Sequence, residues 1–430
     1  MPREMKNSGI SWIGDIPKEW DVLPARYAFS EEKTKNTDGR TQNALQFKFG
    51  AIVPKSNFDA DTDEYVADTI TSYTVVRPGT VMINGLNLNY DFVTQRTALV
   101  KETGAITSAY LALLPNTERI MPEYATYLFK GYESRMALHN MGSGIRLTLG
   151  FKELKRQPIL FPTLSEQKRI VEYLDKRCAS IAGIISETEM SIAYYRKLKQ
   201  SVVTEAVTHG IRKDRQSTES GIDWLGKVPD NWSLIKGKYL FIERNQRGND
   251  VELQLLSPTQ KYGVIPQKMY EELSGMRAVK LEETVDYSTL KSIYVGDYCI
   301  SLRSFQGGFE YSRYNGVVSP AYHVFYKAVN LWDDYYRYLF KDVGFIAKMA
   351  SLTKTFRDGK SISFADFSNS IIPVPPYDEQ VEIANYLDSQ CAEIDKIIAS
   401  KETLLLELDK YKKSVIFEYV TGKKEVPVCQ

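Results

Sequence analysis

SEQKRIVEYLDKRCASI, residues 165–181, opens the longest regular pattern in the chain, and a second version, DEQVEIANYLDSQCAEI, occupies residues 378–394. Each version starts with a residue that caps helices well, Ser or Asp, followed by Glu and Gln. From each start, apolar residues recur every three or four positions, which places them along one side of a helix. The pattern therefore predicts two long helices, over residues 165–208 and 378–421.

The length of these predicted helices restricts how they can pack. Each covers 44 residues, and at 1.5 Å per residue such a helix is about 65 Å long. An apolar stripe of that length extends beyond the width of a typical domain, and the other helix carries the same pattern. We therefore expect the two helices to pair as a coiled coil. The alternative is that each helix packs only on its own globular domain.

A second phrase also occurs twice. SGISWIGDIPKEW at residues 8–20 returns as SGIDWLGKVPDNW at residues 220–232, 212 positions later. Two repeats of this size predict two domains built to one plan rather than a solenoid. The large apolar residues of the phrase surround a glycine and a proline, and buried tryptophan contributes strongly to packing. We expect the phrase to be a structural clasp that packs the start of each domain against its neighbour.

Between the clasp and the long helix, each half has the pattern of a mixed α/β domain. Short apolar runs bounded by glycine and proline are typical of strands. They lie at residues 74–85, 109–115, 293–304 and 321–326. Shorter helices are predicted at residues 122–139 and 332–350. The predicted fold class is α/β, with two tandem mixed α/β domains that are each followed by a long helix. The predicted boundaries are residues 1–163 and 213–376 for the domains, and 164–212 and 377–424 for the helices.

The composition is that of an ordinary globular protein. Of 430 residues, 43% are hydrophobic and 25% are charged, and the formal net charge is +1. No apolar run is long enough to span a bilayer and the first residues contain no apolar signal core, so we expect a cytoplasmic protein with no membrane partner. The cysteines are too far apart to predict a zinc site or a disulfide framework. They are Cys178, Cys299, Cys391 and Cys429.

No motif in the sequence predicts catalysis. VPPYDEQ at residues 374–380 is similar to the Pro-Pro-Tyr loop of amino-methyltransferases, but Val374 stands where an amide or carboxylate must accept a hydrogen bond from the target amine. KTFRDGKS at residues 354–361 lacks the first glycine of a phosphate-binding loop. The histidines show no metal-ligand spacing. They are His139, His209 and His323. We therefore expect neither a catalytic centre nor a metal site.

Four loops combine cations, small residues and aromatics in corresponding places of the two halves. They lie at residues 83–96, 142–156, 301–316 and 351–364. Arg, Asn and Gln can bond the edges of guanine and adenine with two hydrogen bonds at once, and Lys with glycine-flanked amides suits phosphates. We therefore predict a surface that binds double-stranded DNA; the alternative is a set of ordinary solvated connections. The candidate DNA-binding residues are Asn84, Asn87, Asn89, Arg96, Arg146, Lys152, Arg303, Gln306, Arg313, Lys354, Arg357 and Lys360.

With these features the chain resembles the specificity subunit of type I restriction-modification systems over nearly its whole length. The features are the doubled SGIxWxGxxPxxW phrase, the proline-bounded LSEQKRIVEYLD and YDEQVEIANYLD helix starts, and long helices that stop near Gly210 and Gly422. The resemblance implies that each α/β domain is a target-recognition domain for one half of a split DNA sequence. It also implies that the two helices form an antiparallel spacer between the domains.

The resemblance further implies partners. Two methyltransferase subunits would dock on the chain and transfer a methyl group from S-adenosylmethionine to adenine, and motor-nuclease subunits would join to cleave unmodified DNA. The chain itself would bind no cofactor and perform no chemistry. A net charge near zero then fits phosphate contacts that are shared with partners. Two alternatives are a stand-alone DNA-modifying enzyme with an unrecognised site and a coiled-coil protein scaffold.

Overall fold

The chain forms two compact units. The first comprises Met1–Glu189 together with Glu402–Gln430, and the second comprises Met190–Lys401. The computed structural model describes residues 3–48, 50–55, 69–90, 95–145, 147–248, 254–276, 287–300, 308–352 and 362–427. The division into units passes through both long helices rather than at their ends. The boundaries predicted from the sequence follow the order of elements along the chain and stay a prediction.

The helices include the two long ones that the apolar periodicity predicts. The α-helices of the described residues are α1 (Pro122–Ser134), α2 (Phe151–Leu154), α3 (Leu164–His209), α4 (Gln267–Ser274), α5 (Asp333–Leu339), α6 (Val343–Leu352), α7 (Phe364–Asn369) and α8 (Tyr377–Val420). The long helices α3 and α8 match the predictions to within one residue at each end. Within the described part of the chain, no helix combines the length and apolar character needed to cross a membrane.

The shorter helices differ from the predictions at their ends. The helix predicted at residues 332–350 is two helices, α5 and α6, because Asp342 begins a new one. Its Oδ1 accepts a hydrogen bond from the backbone N–H of Phe345 at 2.9 Å, which is the role of an N-terminal cap. The helix predicted at residues 122–139 stops at Ser134, and a 3₁₀ turn follows at Ala137–Met141.

The strands of the first unit form two four-stranded sheets and two short pairs in the described residues. They are β1 (Met5–Asn7), β2 (Asp15–Pro17), β3 (Asp21–Pro24), β4 (Phe29–Glu31), β5 (Ala44–Lys48), β6 (Ala51–Pro54), β7 (Thr74–Val76), β8 (Val81–Ile83), β9 (Thr97–Leu99), β10 (Gly104–Ile106), β11 (Leu111–Pro115) and β12 (Pro158–Phe161). The sheet orders are β4-β11-β8-β9 and β6-β5-β10-β7, and β1 pairs with β2 and β3 with β12.

The strands of the second unit repeat most of this plan. They are β13 (Ser217–Glu219), β14 (Lys227–Pro229), β15 (Ser233–Lys236), β16 (Phe241–Arg244), β17 (Leu256–Thr259), β18 (Gly263–Pro266), β19 (Lys291–Ile293), β20 (Tyr298–Ile300), β21 (Phe309–Tyr311), β22 (Gly316–Val318), β23 (His323–Lys327) and β24 (Ile371–Val374). The four-stranded sheet β16-β23-β20-β21 has the same order as β4-β11-β8-β9. All pairs in both sheets are antiparallel. Each unit therefore has its own copy of one four-stranded framework, which we call the shared sheet.

Each unit has one main apolar core, and segments of both long helices contribute to it. In the first unit the core surrounds Trp20, Phe129 and Tyr132. Its helix residues come from the start of α3 and the end of α8: Ile170, Val171, Leu174, Cys178, Val415, Ile416, Tyr419 and Val420. In the second unit the core surrounds Phe241 and Phe325. Its helix residues come from the end of α3 and the start of α8: Ala206, Val207, Ile383 and Leu387.

The long helices run antiparallel inside each unit. In the first unit the rings of Tyr173 and Tyr419 lie 4.4 Å apart, and the Tyr419 hydroxyl donates to that of Tyr173 at 3.0 Å. One turn further along α3, Arg177 donates to the Tyr411 hydroxyl at 2.9 Å, so rising numbers in α3 meet falling numbers in α8. In the second unit, Lys199 pairs with Asp395 at 2.6 Å. The predicted antiparallel coiled-coil pair is confirmed.

The repeated phrase forms a clasp in both units. In the first unit the three residues just before the phrase, β1, pair with β2 inside it. Trp20 is fully buried, and its indole Nε1 donates to Glu166 Oε2 at 2.9 Å near the start of α3. Trp12 packs edge-on against Tyr132 at 4.7 Å between ring centroids. In the second unit β13 pairs with β14, and Trp232 lies in the core. The phrase therefore fastens the start of each domain to the helix that follows it.

Candidate nucleic-acid interface

Two of the predicted loops meet on the surface of the first unit. The loop at residues 84–90 follows strand β8, and the loop at residues 142–150 follows the 3₁₀ turn. The Leu88 N–H donates to the Leu147 carbonyl at 3.3 Å, and the Leu149 N–H donates to the Gly85 carbonyl at 2.9 Å. Asn89 Nδ2 donates to the Ile145 carbonyl at 3.3 Å. Segments that lie about 60 positions apart in the chain thus form one surface, which we call the paired loops.

Glycines allow the paired loops to approach closely. A Cβ on Gly85 would overlap the Leu149 carbonyl oxygen, and one on Gly142 would come within 2.9 Å of Leu88 Cδ1. Such spacing is available only to a residue without a side chain. Glu153 closes the second loop, since its carboxylate accepts hydrogen bonds from the Ser143 hydroxyl at 3.0 Å and the Gly150 N–H at 3.2 Å. Burial alone would raise the pKa of Glu153, but these hydrogen bonds hold it below its usual value.

The paired loops present a mixture of amide, aromatic and aliphatic groups to solvent. Asn87 is exposed and has a left-handed backbone, with φ of 52°, a conformation that asparagine tolerates better than most residues. Tyr90 is 75% exposed and Ile145 is 96% exposed. Lys152, on helix α2, is also exposed. An amide can bond a base edge, a flat or branched apolar side chain can contact bases, and a lysine suits phosphate.

Two of the predicted DNA-binding residues shape the loop instead. Arg96 is fully buried, and its guanidinium donates to the carbonyls of Asn84 at 3.0 Å and Leu86 at 2.8 Å. In this position it cannot reach a base or a phosphate, so its expected direct contact with DNA is corrected to a supporting role. The half-buried Asn84 accepts a hydrogen bond from the Leu86 N–H at 3.2 Å, which is an Asx turn within the loop.

The second unit carries its predicted residues at the equivalent place. The segment after β20, like the loop after β8, joins the third and fourth strands of the shared sheet. Most of the predicted residues there and elsewhere lie outside the described residues. These are Arg146, Arg303, Gln306, Lys354, Arg357 and Lys360. Arg313 is described: it lies two residues beyond β21, its side chain is 65% exposed, and its nearest carboxylate is Asp334 at 3.7 Å.

A cleft adjoins Arg313 in the second unit. Its volume is about 810 Å³, and it lies between the strand β18 with helix α4 on one side and the long helices on the other. Tyrosines and cations line it, among them Tyr262, Tyr314 and Arg337. Arg337 is held by Asp388 at 2.7 Å. Aromatic rings interleaved with cations suit nucleic acid, and this cleft had no signal in the sequence because its walls come from distant segments.

Sequence reasoning missed two exposed apolar residues in the paired loops, Tyr90 and Ile145. Both lie inside the predicted loops, but the residues chosen there as DNA contacts were all polar or charged. An isolated isoleucine directly after two closely spaced glycines, as in GSGIR at residues 142–146, is itself a signal, since so short a glycine-rich stretch offers no core to bury it. Asn89 joins the two loops instead, since its Nδ2 donates to the Ile145 carbonyl and its Oδ1 is buried. Of the described predicted residues, Asn87, Lys152 and Arg313 remain as exposed candidate contacts.

Comparisons with known proteins agree on one family. Residues 235–408 match the family of the type I restriction modification DNA specificity domain. The chain is 22% identical, over 96% of both proteins, to the type I restriction enzyme MjaX specificity subunit of Methanocaldococcus jannaschii.

Solved structures share the fold of the whole chain. One comes from work on complex assembly and conformational transition of a type I restriction-modification system; it has a TM-score of 0.67 and 16% identity, over 95% of this chain and 99% of that one. The HsdS subunit of Thermoanaerobacter tengcongensis has a TM-score of 0.51 and 15% identity, over 95% and 98%. At these identities the likeness concerns the fold.

Proposed function

Since the chain belongs to the specificity subunits of type I restriction-modification systems, we propose that it reads a DNA target in two separate parts, one with each α/β domain. The observation that carries this proposal is the shared sheet. It has the same strand order in both units, and the predicted recognition segments follow the same strand, β8 or β20. Two copies of one framework with different loops suit two different half-sites.

In the first domain, we assign direct reading of bases to the exposed part of the paired loops. Asn87 carries an exposed amide that can bond adenine with two hydrogen bonds, while Lys152 suits the backbone. Arg96 and Asn84 hold the loop in shape beneath them. In the second domain, Arg313 supports the same assignment because it is exposed and only loosely paired.

We assign the spacing of the two half-sites to the long helices. Each passes without interruption from one unit into the other, and they pair along their apolar stripes in both. A pair of helices is stiffer than a single connecting chain, so it suits a spacer of fixed length. Removing one helical turn from both α3 and α8 should therefore change the spacer length that the target tolerates.

The chemistry belongs to partners in this proposal. Two methyltransferase subunits would bring S-adenosylmethionine and methylate adenine, and motor-nuclease subunits would cleave unmodified DNA. Because the chain's net charge is only +1, partners would share the phosphate contacts and the chain alone would bind DNA weakly. A function on cellular DNA would place the protein in the cytoplasm.

Genome-wide mapping of adenine methylation tests the proposal, in cells with and without this chain. We expect a two-part motif that is methylated only when the chain is present. An unchanged methylation map would contradict the assignment as a DNA reader. Methylation by the purified chain with S-adenosylmethionine alone would instead support a stand-alone enzyme, and binding to partner proteins without any DNA dependence would support a scaffold.

A further inference from the structure

A small cavity lies in the first unit where helix α1 meets the long helices. Its volume is about 270 Å³. Helix α1 contributes Lys130 and Glu133 to its wall, and α8 contributes Asp409, Lys412 and Lys413. The volume is below the roughly 300–1,000 Å³ typical of small-molecule pockets. It therefore suits a small group rather than a whole nucleotide.

The charges in this cavity do not balance. Lys413 is paired with Asp409 at 2.7 Å on the same helix, but Lys130 and Lys412 make no hydrogen bond or ion pair with any residue that the structure describes. Burial lowers the pKa of Lys130, and the charge of Lys412 lowers it further. Glu133 compensates only in part, because burial raises its own pKa and its Oε1 already accepts a hydrogen bond from the backbone N–H of Arg96 at 2.8 Å.

The second unit contains the same two lysine positions. Lys341 ends the RYLFK stretch that runs two residues past the end of α5, as Lys130 ends the TYLFK stretch of α1. Lys199 lies 213 positions before Lys412, which is the spacing of the long-helix repeat. Both Lys341 and Lys199 line the cleft of the second unit. The two cavities are therefore related by the duplication and can be compared position by position.

In the second unit each of these lysines has its own carboxylate. Lys341 Nζ donates to Glu310 Oε1 at 2.5 Å, and Lys199 Nζ pairs with Asp395 at 2.6 Å. Glu310 occupies the middle of β21, and Asp395 lies on the start of α8. The corresponding residues of the first unit are Ala98, in the middle of β9, and Ala182, on α3. The two lysines are thus each paired with a carboxylate in the second unit, and the positions of those carboxylates are alanines in the first.

We propose that the cavity between Lys130 and Lys412 binds a phosphate group. Two half-buried ammonium groups without a counter-ion are costly, and a phosphate oxygen would accept hydrogen bonds from both. Gln95, at the end of the loop that begins with Asn84, also lines the cavity. A duplex held by that loop would carry its backbone beside the opening, so DNA is one source of the group and free phosphate is the other. The DNA source rests on the proposed function.

Calorimetry with inorganic phosphate and the full chain tests the pocket itself. The wild-type chain should bind phosphate, and Lys412→Gln or Lys130→Gln should weaken that binding at least tenfold. Lys199→Gln is the matched control, because it changes the equivalent lysine of the second unit, which is already paired with Asp395, and should leave phosphate binding unchanged. Urea unfolding without phosphate shows whether each variant is folded; we expect no loss for Lys130→Gln, since the change removes a buried charge that has no partner.

The source of the phosphate is identified by measuring duplex binding between 50 and 200 mM salt. The chain is assembled with its methyltransferase partners for this measurement. If the group is a DNA phosphate, Lys412→Gln should reduce the slope of log affinity against log salt by about 0.9, and Lys199→Gln should not. An unchanged slope with weakened binding of inorganic phosphate would support a free phosphate. If Lys412→Gln changes neither, the phosphate site is overturned. Failure of the wild-type assembly to select any target would instead refute the proposed function, while the calorimetry would still decide the pocket.

Discussion

Glu166 and Glu379 hold the same place in the two units, but their surroundings differ. Glu166 accepts two hydrogen bonds from Arg3, at 2.6 and 2.9 Å, and a third from the Trp20 indole at 2.9 Å. Glu379 accepts one from Arg215 at 2.5 Å. Its Oε2 and the Trp232 indole Nε1 have no hydrogen-bond partner among the described residues.

In each unit these residues form the junction between the clasp and the start of a long helix. The difference between the two copies shows which contacts of this junction the fold requires. Both units keep a buried carboxylate near the start of a long helix, an arginine that pairs with it and a tryptophan ring under that arginine, at 5.6 Å in one unit and 5.5 Å in the other. The indole hydrogen bond is present in only one copy. The ion pair over an aromatic ring is therefore the common element, and the additional hydrogen bonds make the first copy the more strongly fastened.

The largest expected effect is on this junction. Glu166→Ala removes two hydrogen bonds of Arg3, which keeps only its pairing with Glu19, and leaves the Trp20 indole without an acceptor. Removing one partner of a buried ion pair costs about 3–5 kcal/mol. Glu379→Ala should cost about 1 kcal/mol less, because Glu379 accepts one hydrogen bond where Glu166 accepts three, and no indole loses its acceptor. Hydrogen exchange of core amides in each unit measures both losses. Equal losses would mean that the additional hydrogen bonds of the first junction contribute nothing.

A pH series sharpens the comparison of the two cavities. Burial raises the pKa of Glu310 from an ordinary 4.5 to about 7. The positive charge of Lys341 acts in the opposite direction, lowering that pKa, but burial is the larger effect. The folded state then holds this proton more tightly than the unfolded state, so the second unit should lose up to about 3 kcal/mol as the pH rises from about 4.5 to 7. Glu310→Gln should remove that part of the pH dependence from hydrogen exchange of the second unit. A slope that persists in the variant would assign it to other groups.

The next effect separates the two recognition domains. Gly85→Ala places a methyl group against the Leu149 carbonyl, so the paired loops should separate and methylation directed by the first half-site should fall roughly tenfold, the equivalent of about 1.4 kcal/mol. Selection at the second half-site should be unchanged. Gly183→Ala is the control, because its Cβ would meet nothing within 4 Å on α3. Loss at both half-sites together would contradict the division of labour between the domains.

The smallest change removes a single side chain. Asn87→Gly keeps a residue that accepts φ of 52° but deletes the amide. If the amide bonds a base, preference at one position of the first half-site should relax by about 1 kcal/mol, at the low end for a base contact, with the fold unaffected. Sequencing of methylated sites measures the preference. An unchanged motif would assign base reading to the neighbouring Tyr90 instead.

The sequence predicted the long helices and the twofold plan because both depend on local periodicity and repetition. Helices α3 and α8 follow from apolar spacing and caps, and the clasp follows from its repeated tryptophans. The break before α6 also had a local signal, since Asp342 is a helix-capping residue that the prediction passed over. These features need no knowledge of what lies across the core.

The rest depends on contacts between distant segments. Arg96 looked like a surface cation in a loop rich in asparagine, and only the fold shows that backbone carbonyls surround its guanidinium. Lys130 and Lys412 are 282 positions apart, so no local pattern could place them in one cavity. The duplication did offer a clue, because aligning the two halves places Ala182 opposite Asp395. This difference in charge becomes informative once the fold shows that the lysines are neighbours.

The division of the chain also affects its synthesis. The second unit is a continuous stretch, residues 190–401, whereas the first needs Val415–Val420 of α8 to complete the core around Trp20. Although amino-terminal domains usually fold first on the ribosome, at about 5–20 residues per second, here the earlier-made domain waits, on the order of tens of seconds, for the last turns of α8. Its apolar surface is exposed during that delay, and the domain made second is the first able to close.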